Sequence, residues 1–329
     1  MRHLITGGAG FIGSHLSETL VARGDSVLIL DDLSSGRREN VAPLLGNGDG
    51  QVDLVEGSVL DRALVDECMR SADTCFHLAS TVGVKLVVGQ PLESLLSDVR
   101  GIHTVADSAA EHGVRMLFTS TSEVYGKRSD GYVREDADRL LGPPSISRWN
   151  YSTAKSFGEA LVHGYHRERG AEMLIVRIFN TVGPRQSAAY GMVLPRFVSQ
   201  ALSGRPLTVY GDGTQARCFV HVADSVAAVG ALMDSDDAIG GTFNIGSDRV
   251  VTILDLAEEV ITRAGSDSQV EFVPYEDAYA SGFEELGCRR PDVTRLRETI
   301  EWAPQRTIED AIDDTVADQR GSVSTEVVA

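Results

Sequence analysis

A doubly wound α/β fold is predicted for this chain by three features of its first half. Short apolar runs of strand length alternate with amphipathic segments of helix length. A glycine-rich turn joins the first run to the first segment, and an aspartate closes the second run. Strands separated by helices build βαβ units, and such units make a parallel sheet covered on both faces.

Leu4-Ile5-Thr6 is the first strand, and apolar positions through Leu16 and Leu20 mark the first helix. Ser26 to Leu30 form the second strand, which ends at Asp31-Asp32. Val52–Val55, Thr74–Leu78, Met116–Thr119 and Met173–Arg177 follow as strands, with helices around 61–71, 92–112 and 151–169. Beyond about 180, Pro184, Pro195, Pro206, Pro274 and the turn Tyr210-Gly211-Asp212-Gly213 interrupt the alternation. The helical stretch 222–234 and the run Thr242–Ile245 return to the sheet. The expected organisation is a sheet domain from 1–178 with 220–243, a smaller mixed α/β substrate domain from 179–219 with 244–320, and a frayed tail over 321–329.

The 329 residues suffice for one large or two modest domains, and 42% hydrophobic content with mean hydropathy −0.07 exclude global disorder. Thirty Lys and Arg against 48 Asp and Glu give a net charge of −18. Such a surface repels a phosphate backbone, so neither nucleic acid nor an anionic membrane is an expected partner. A few buried arginines can still reverse the potential inside a cleft, which leaves a small anionic ligand open. Cys68, Cys75, Cys218 and Cys288 fall at no metal-like spacing, so no metal site is expected and the thiols read as reduced. Neither a signal peptide nor an apolar run near the roughly 18 residues of a membrane span is read, and a cytoplasmic location is expected.

Gly7-Gly8-Ala9-Gly10-Phe11-Ile12-Gly13 follows the first strand and opens the first helix. Glycines there allow a tight turn and let the backbone approach a pyrophosphate, whose charge rests on the helix N-terminus. Asp31 can accept both hydroxyls of an adenosine ribose and would repel a 2′-phosphate, so NAD is expected over NADP. Tyr151 and Lys155 lie one helical turn apart on one face. A phenol is a poor base near neutrality, and a neighbouring ammonium stabilises its phenolate. Thr119-Ser120-Thr121-Ser122-Glu123-Val124-Tyr125-Gly126 ends a late strand, where sheets of this kind bind ligands.

With these motifs, His77-Leu78-Ala79, Arg177 to Arg185, Tyr210 to Arg217, Arg289-Arg290-Pro291-Asp292 and Ile300 to Pro304, the chain resembles the extended short-chain dehydrogenase/reductases that act on nucleotide-sugars. The resemblance covers nearly the whole chain and implies a Rossmann sheet, NAD, a UDP-sugar substrate and a homodimer built on helices 92–112 and 151–169. It implies that Tyr151 takes the substrate hydroxyl proton with Thr121, tuned by Lys155, and that Glu123 is catalytic. NAD would be held by Gly7, Gly10, Phe11, Ile12, Gly13, Asp31, Ser58, Val59, Leu78 and Ala79, together with Tyr151 and Lys155. Lys85, Ser122, Asn180, Arg185, Tyr210, Arg217 and Arg289 would meet the nucleotide-sugar. Among these, Arg217 and Arg289 would hold the pyrophosphate, since guanidiniums are planar and permanently charged. Arg185, with Arg290 second, is the candidate for a sugar carboxylate. His77 and His221 are read as packed histidines rather than ligands.

The chain departs from the family pattern at Ser58, where many relatives carry Asp, and at Asp98-Val99-Arg100-Gly101, where relatives show Asn-Val-x-Gly. The reaction stays open at this point. Oxidation at sugar C4 gives a ketone, and a C5 carboxylate then leaves as CO₂, a C5 hydroxymethyl loses water, or the ketone turns over and is reduced as the C4 epimer. Thr121-Ser122-Glu123 resembles UDP-glucuronate decarboxylases and also GDP-mannose 4,6-dehydratases, and Arg148-Trp149-x-Tyr151 resembles the former. Decarboxylation is the favoured expectation, then 4-epimerisation, then dehydration. A non-catalytic nucleotide sensor would not need both Tyr151 and Lys155.

Overall fold

Seven strands, β1 (Arg2–Thr6), β2 (Ser26–Asp31), β3 (Val52–Glu56), β4 (Thr74–His77), β5 (Arg115–Thr121), β6 (Met173–Ile178) and β7 (Thr242–Ile245), form one sheet in the order β7-β6-β5-β4-β1-β2-β3, parallel throughout. The structure is a computed structural model that describes residues 1–45, 51–81, 89–128, 131–278 and 287–326. Nine helices of seven residues or more lie among the described residues. They are α1 (Phe11–Ala22), α2 (Arg62–Arg70), α3 (Pro91–His112), α4 (Asn150–Arg169), α5 (Val193–Leu202), α6 (Val222–Asp234), α7 (Ile253–Ala264), α8 (Thr294–Ile300) and α9 (Ile308–Glu326).

The sheet is apolar on both faces because consecutive strand residues point opposite ways. Ile5, Ile29, Phe76 and Leu117 meet Leu16, Leu20, Val226, Val229 and Leu296 from α1, α6 and α8. Leu4, Leu28, Met116, Phe118 and Ile175 meet Val65, Met69, Val105, Ala109 and Val162 from α2, α3 and α4. Each fully buried side chain of this size contributes about 1.5–3 kcal/mol. A separate apolar cluster joins α5, α7 and α9 through Leu194, Phe197, Leu256, Val260 and Ile312. Side chains fix the helix starts: Asp61 accepts from the Ala63 and Leu64 amides, Thr252 from Asp255, and His221 Nδ1 from Ala223.

Two expectations shift. The last sheet strand runs on through Asn244 and Ile245, past the boundary placed at 243. The tail expected from 321 is helical through Glu326, because the turns before it are docked: Gln319 Nε2 donates to Pro195 O at 3.0 Å and an Arg320 guanidinium nitrogen to Ala264 O at 2.8 Å. No helix among the described residues is long and apolar enough to cross a membrane. The chain reverses its direction of sheet growth between β1 and β4, and the crevice beyond their C-terminal ends is where such sheets take ligands.

Candidate active site

The β1–α1 turn has no room for side chains. A Cβ on Gly13 would lie 2.3 Å from the Gly7 carbonyl oxygen, and one on Gly7, whose φ is +73°, 2.8 Å from the Ala79 amide nitrogen. The amides of Phe11 and Ile12 head α1, whose first turn holds no acidic residue and whose cap, Gly10, offers no side-chain bond. A close-approach turn with unclaimed amides suits a pyrophosphate. Asp31, buried at the end of β2, accepts from Ala9 N and Leu33 N at 2.9 Å each, and burial pushes its carboxyl up. One bond per oxygen leaves acceptor capacity on both for ribose hydroxyls. These residues fit a dinucleotide with a free adenosine ribose. Leu78 and Ala79 line the neighbouring loop, where Ala79 N donates to Thr6 Oγ1 at 3.3 Å. Ser58 and Val59 form the turn before α2, and Ser58 Oγ accepts from Leu60 N.

Across the crevice, the first turn of α4 carries Tyr151 and the next carries Lys155. Lys155 Nζ is buried, donates to Thr119 O at 2.9 Å, and sits 5.8 Å from the Tyr151 ring centroid. Burial, then the charges of Asp98 and Glu123, push the Tyr151 phenol above its ordinary value, and the Thr121 and Ser80 hydroxyls act to lower it. Burial lowers Lys155, while Asp98 and Glu159 oppose it.

Glu123 follows Thr121 and the buried Ser122 in a short turn after β5, and Thr121 Oγ1 accepts from its amide at 3.2 Å. Arg148 holds its carboxylate in a two-pronged pair at 2.5 and 3.0 Å, and Arg289 reaches the same carboxylate at 3.3 Å. Burial would raise the Glu123 carboxyl, but the two guanidiniums overcome burial and hold it at about 2. Arg289 also donates to Gly126 O, and Arg217 on strand 216–218 faces Arg289 closely enough that their charges repel. Two guanidiniums thus clasp one carboxylate beside the tyrosine, with the third, Arg217, near Arg289. The turn is held from behind by a buried pair: Arg177 on β6 donates to both Glu159 oxygens at 2.8 Å, Ser120 Oγ to Glu159 at 2.6 Å, and Arg177 to Tyr125 Oη at 2.9 Å.

The other expected substrate residues are distributed unevenly. Asn180 lies two residues beyond β6 and donates to Cys218 O at 3.0 Å, next to Arg217. Tyr210 lies under the Arg196 guanidinium at 4.2 Å. Lys85 lies outside the described residues. Arg185 is a correction: its backbone takes φ +65°, and its guanidinium is engaged by Glu18, His15 and Asn40 O near α1, not by the Glu123 cluster. Arg148 takes the place beside Glu123 instead. Sequence reasoning met Arg148 only as part of a motif, since the residue it pairs with lies 25 positions earlier. His77 is fully packed, stacked on Phe118 and bonded to Thr6 Oγ1, and His221 caps α6. No cluster of metal-ligating side chains occurs among the described residues.

Residues 3–246 match the model of the NAD dependent epimerase/dehydratase family. A UDP-N-acetyl-alpha-D-glucosaminuronate decarboxylase of Bacillus cytotoxicus is 40% identical over 96% of both chains. UDP-glucuronic acid decarboxylase 1 of Arabidopsis thaliana is 34% identical over 99% of this chain and 71% of its own. Among solved structures, the Bacillus cereus UDP-glucuronic acid 4-epimerase with UDP-glucuronic acid and NAD superposes with TM-score 0.87 at 25% identity, covering 98% of this chain and all of that one.

Proposed function

Since the chain belongs to the NAD dependent epimerase/dehydratase family, we propose that it is an NAD-dependent lyase that decarboxylates a UDP-hexuronic acid, UDP-glucuronic acid or its 2-acetamido counterpart, through a 4-keto sugar. The observation that carries this reading is the pairing of both Arg148 and Arg289 with Glu123, beside Tyr151, with Arg217 near Arg289. Guanidiniums gathered there suit a substrate bringing a second carboxylate and a diphosphate. The relatives named as decarboxylases support the same choice.

NAD, when bound, supplies a reversible acceptor for the C4 hydride. Gly7, Gly10, Gly13, the amides of Phe11 and Ile12, and Asp31 would hold its adenosine half, with Ser58, Val59, Leu78 and Ala79 along its length and Tyr151 and Lys155 at the nicotinamide end. Tyr151 takes the C4 hydroxyl proton, with Thr121 beside it. A C4 ketone is β to the C6 carboxylate, so loss of CO₂ leaves an enolate at O4, and the Tyr151 and Thr121 hydroxyls donate to that oxygen. Glu123, held anionic, orients Arg148 and Arg289 against the substrate carboxylate. Ser122, Asn180, Tyr210, Arg217 and Lys85 complete the sugar and diphosphate contacts in this reading. The sheet half, 1–178 with 220–243, would carry NAD, and 179–219 with 244–320 the nucleotide-sugar.

Incubation with NAD and UDP-glucuronic acid, followed by mass spectrometry, tests the reading. The expected outcome is loss of CO₂, abolished in Tyr151→Phe. An unchanged mass with a new C4 stereoisomer would establish instead the 4-epimerase reading that the Bacillus cereus likeness favours. We further propose a cytoplasmic homodimer. Cys68, Cys75, Cys218 and Cys288 are free thiols, and Leu92 (65% exposed) on α3 and Phe157 (42%) on α4 present an apolar face. Light scattering of Leu92→Glu/Phe157→Glu checks the dimer; an unchanged mass overturns it.

A further inference from the structure

Behind the Glu123 turn lies a buried amide that the reaction so far leaves unused. Asn244 stands near the end of β7, the edge strand of the sheet, and has no exposed surface. Its Nδ2 donates to Val133 O at 2.9 Å and to Asp292 O at 3.1 Å. Its Oδ1 accepts from Tyr125 Oη at 2.7 Å, and its backbone N donates to Glu135 Oε1 at 2.8 Å. Tyr125 ends the turn that carries Glu123, and Asp292 follows the two-residue strand Arg290–Pro291 that Arg289 leads into. We infer that Asn244 is a positioning residue, which sets Arg289 against Glu123 for contact with the anionic sugar nucleotide. This rests on the reading of Arg289 as a substrate contact.

Arg289 needs such an anchor. Its strand pairs in parallel with Tyr132–Val133, and a ladder of two residues is weak on its own. The Asn244 amide clips both strands of that ladder to the sheet: Val133 O accepts from it and from Asp292 N, and Asp292 O accepts from it too. In front, Arg289 donates to Gly126 O at 3.1 Å and reaches Glu123 at 3.3 Å, and the Tyr125 hydroxyl ties this same turn back to Asn244. One amide therefore fixes both partners of the Arg289–Glu123 pair. With both N–H groups and the oxygen engaged, it holds a single orientation. Arg177, in register with Asn244 across β6 and β7, braces the junction by donating to Tyr125 Oη and to Glu135 O at 2.9 Å each. Being buried, Asn244 acts through Arg289, and a small misplacement of a charged contact is costly. β6, β5 and β4 lie between β7 and β1, so the glycine turn that takes the adenosine half of NAD is outside its reach.

Isothermal titration of UDP-glucuronic acid into NADH-loaded protein, which cannot take a hydride from the sugar, compares wild type, Asn244→Ala, Arg289→Gln and the double variant. Asn244→Ala is expected to weaken sugar-nucleotide binding about tenfold and to leave NADH affinity within about twofold of wild type. In the Arg289→Gln background the same change should add little, because the contact it serves is already gone. Tyr125→Phe removes one bond to the amide and keeps the buried ring, so it should weaken binding about threefold. It decides the matter where Asn244→Ala does not fold. Unchanged affinity in the folded variants, NADH binding lost in step, or fully additive losses with Arg289→Gln overturn the proposal. A neutral Arg289→Gln defeats the reading of Arg289 and this inference together, whereas a loss in Arg289→Gln with none in Asn244→Ala defeats this inference alone. Failure of wild type to bind UDP-glucuronic acid would defeat only the substrate reading, and the same comparison with UDP then decides the role of Asn244.

Discussion

Glu123 keeps a negative charge in a place where burial alone would neutralise it, and Arg148 is the nearer of the two cations responsible. A carboxyl held at about 2 against an unfolded value of 4.5 contributes stability that is present above 4.5 and lost as pH falls toward 2. Arg148→Gln is therefore expected to cost on the order of 3 kcal/mol at pH 7, with a gap that narrows below pH 4.5. Urea denaturation at pH 7 and pH 3 measures it, and an equal gap at both pH values would refute the electrostatic origin. This pairing was hidden in the sequence, whereas Tyr151 and Lys155 were legible because helix geometry alone puts residues four apart on one face. Arg185 misled for a backbone reason. A positive φ at a non-glycine residue turns its side chain toward α1, and nothing in Gly183-Pro184-Arg185 announces that.

The turn that carries Ser122 and Glu123 is only as fixed as the elements behind it. β5, β6 and α4 meet there through Arg177 and Glu159, both buried, with Ser120 and Tyr125 bonded to the pair. Removing one partner leaves an unpaired buried charge, so Arg177→Met and Glu159→Gln should each destabilise by about 3–5 kcal/mol. Their combination should cost clearly less than the sum. Chemical denaturation of the three variants checks this, and additive losses would show that the two side chains act separately. At this scale the sequence was most readable. Strand and helix periodicity located the sheet and its covering helices, and the glycine turn located the crevice. The end of α9 was not readable, because its order comes from contacts with Pro195 and Ala264 far away in the chain.

Over the whole molecule, charge is arranged in two opposed layers. The chain as a whole carries −18, yet Arg148 and Arg289, with Arg217 near Arg289, gather guanidinium groups inside the crevice. An anionic nucleotide-sugar approaching from solution meets repulsion first and attraction only at short range. Mobile ions weaken the distant field far more than the recessed one, since the screening distance is about 10 Å at 0.1 M ionic strength. Raising ionic strength from low values is therefore expected to increase kcat/KM, the reverse of an enzyme that steers its substrate from afar. A fall in kcat/KM over that range would show that the guanidiniums are felt beyond the rim. The acidic exterior acts in this way as a kinetic filter, slowing the encounter with polyanions in general and reserving the arginine-lined interior for ligands small enough to pass it.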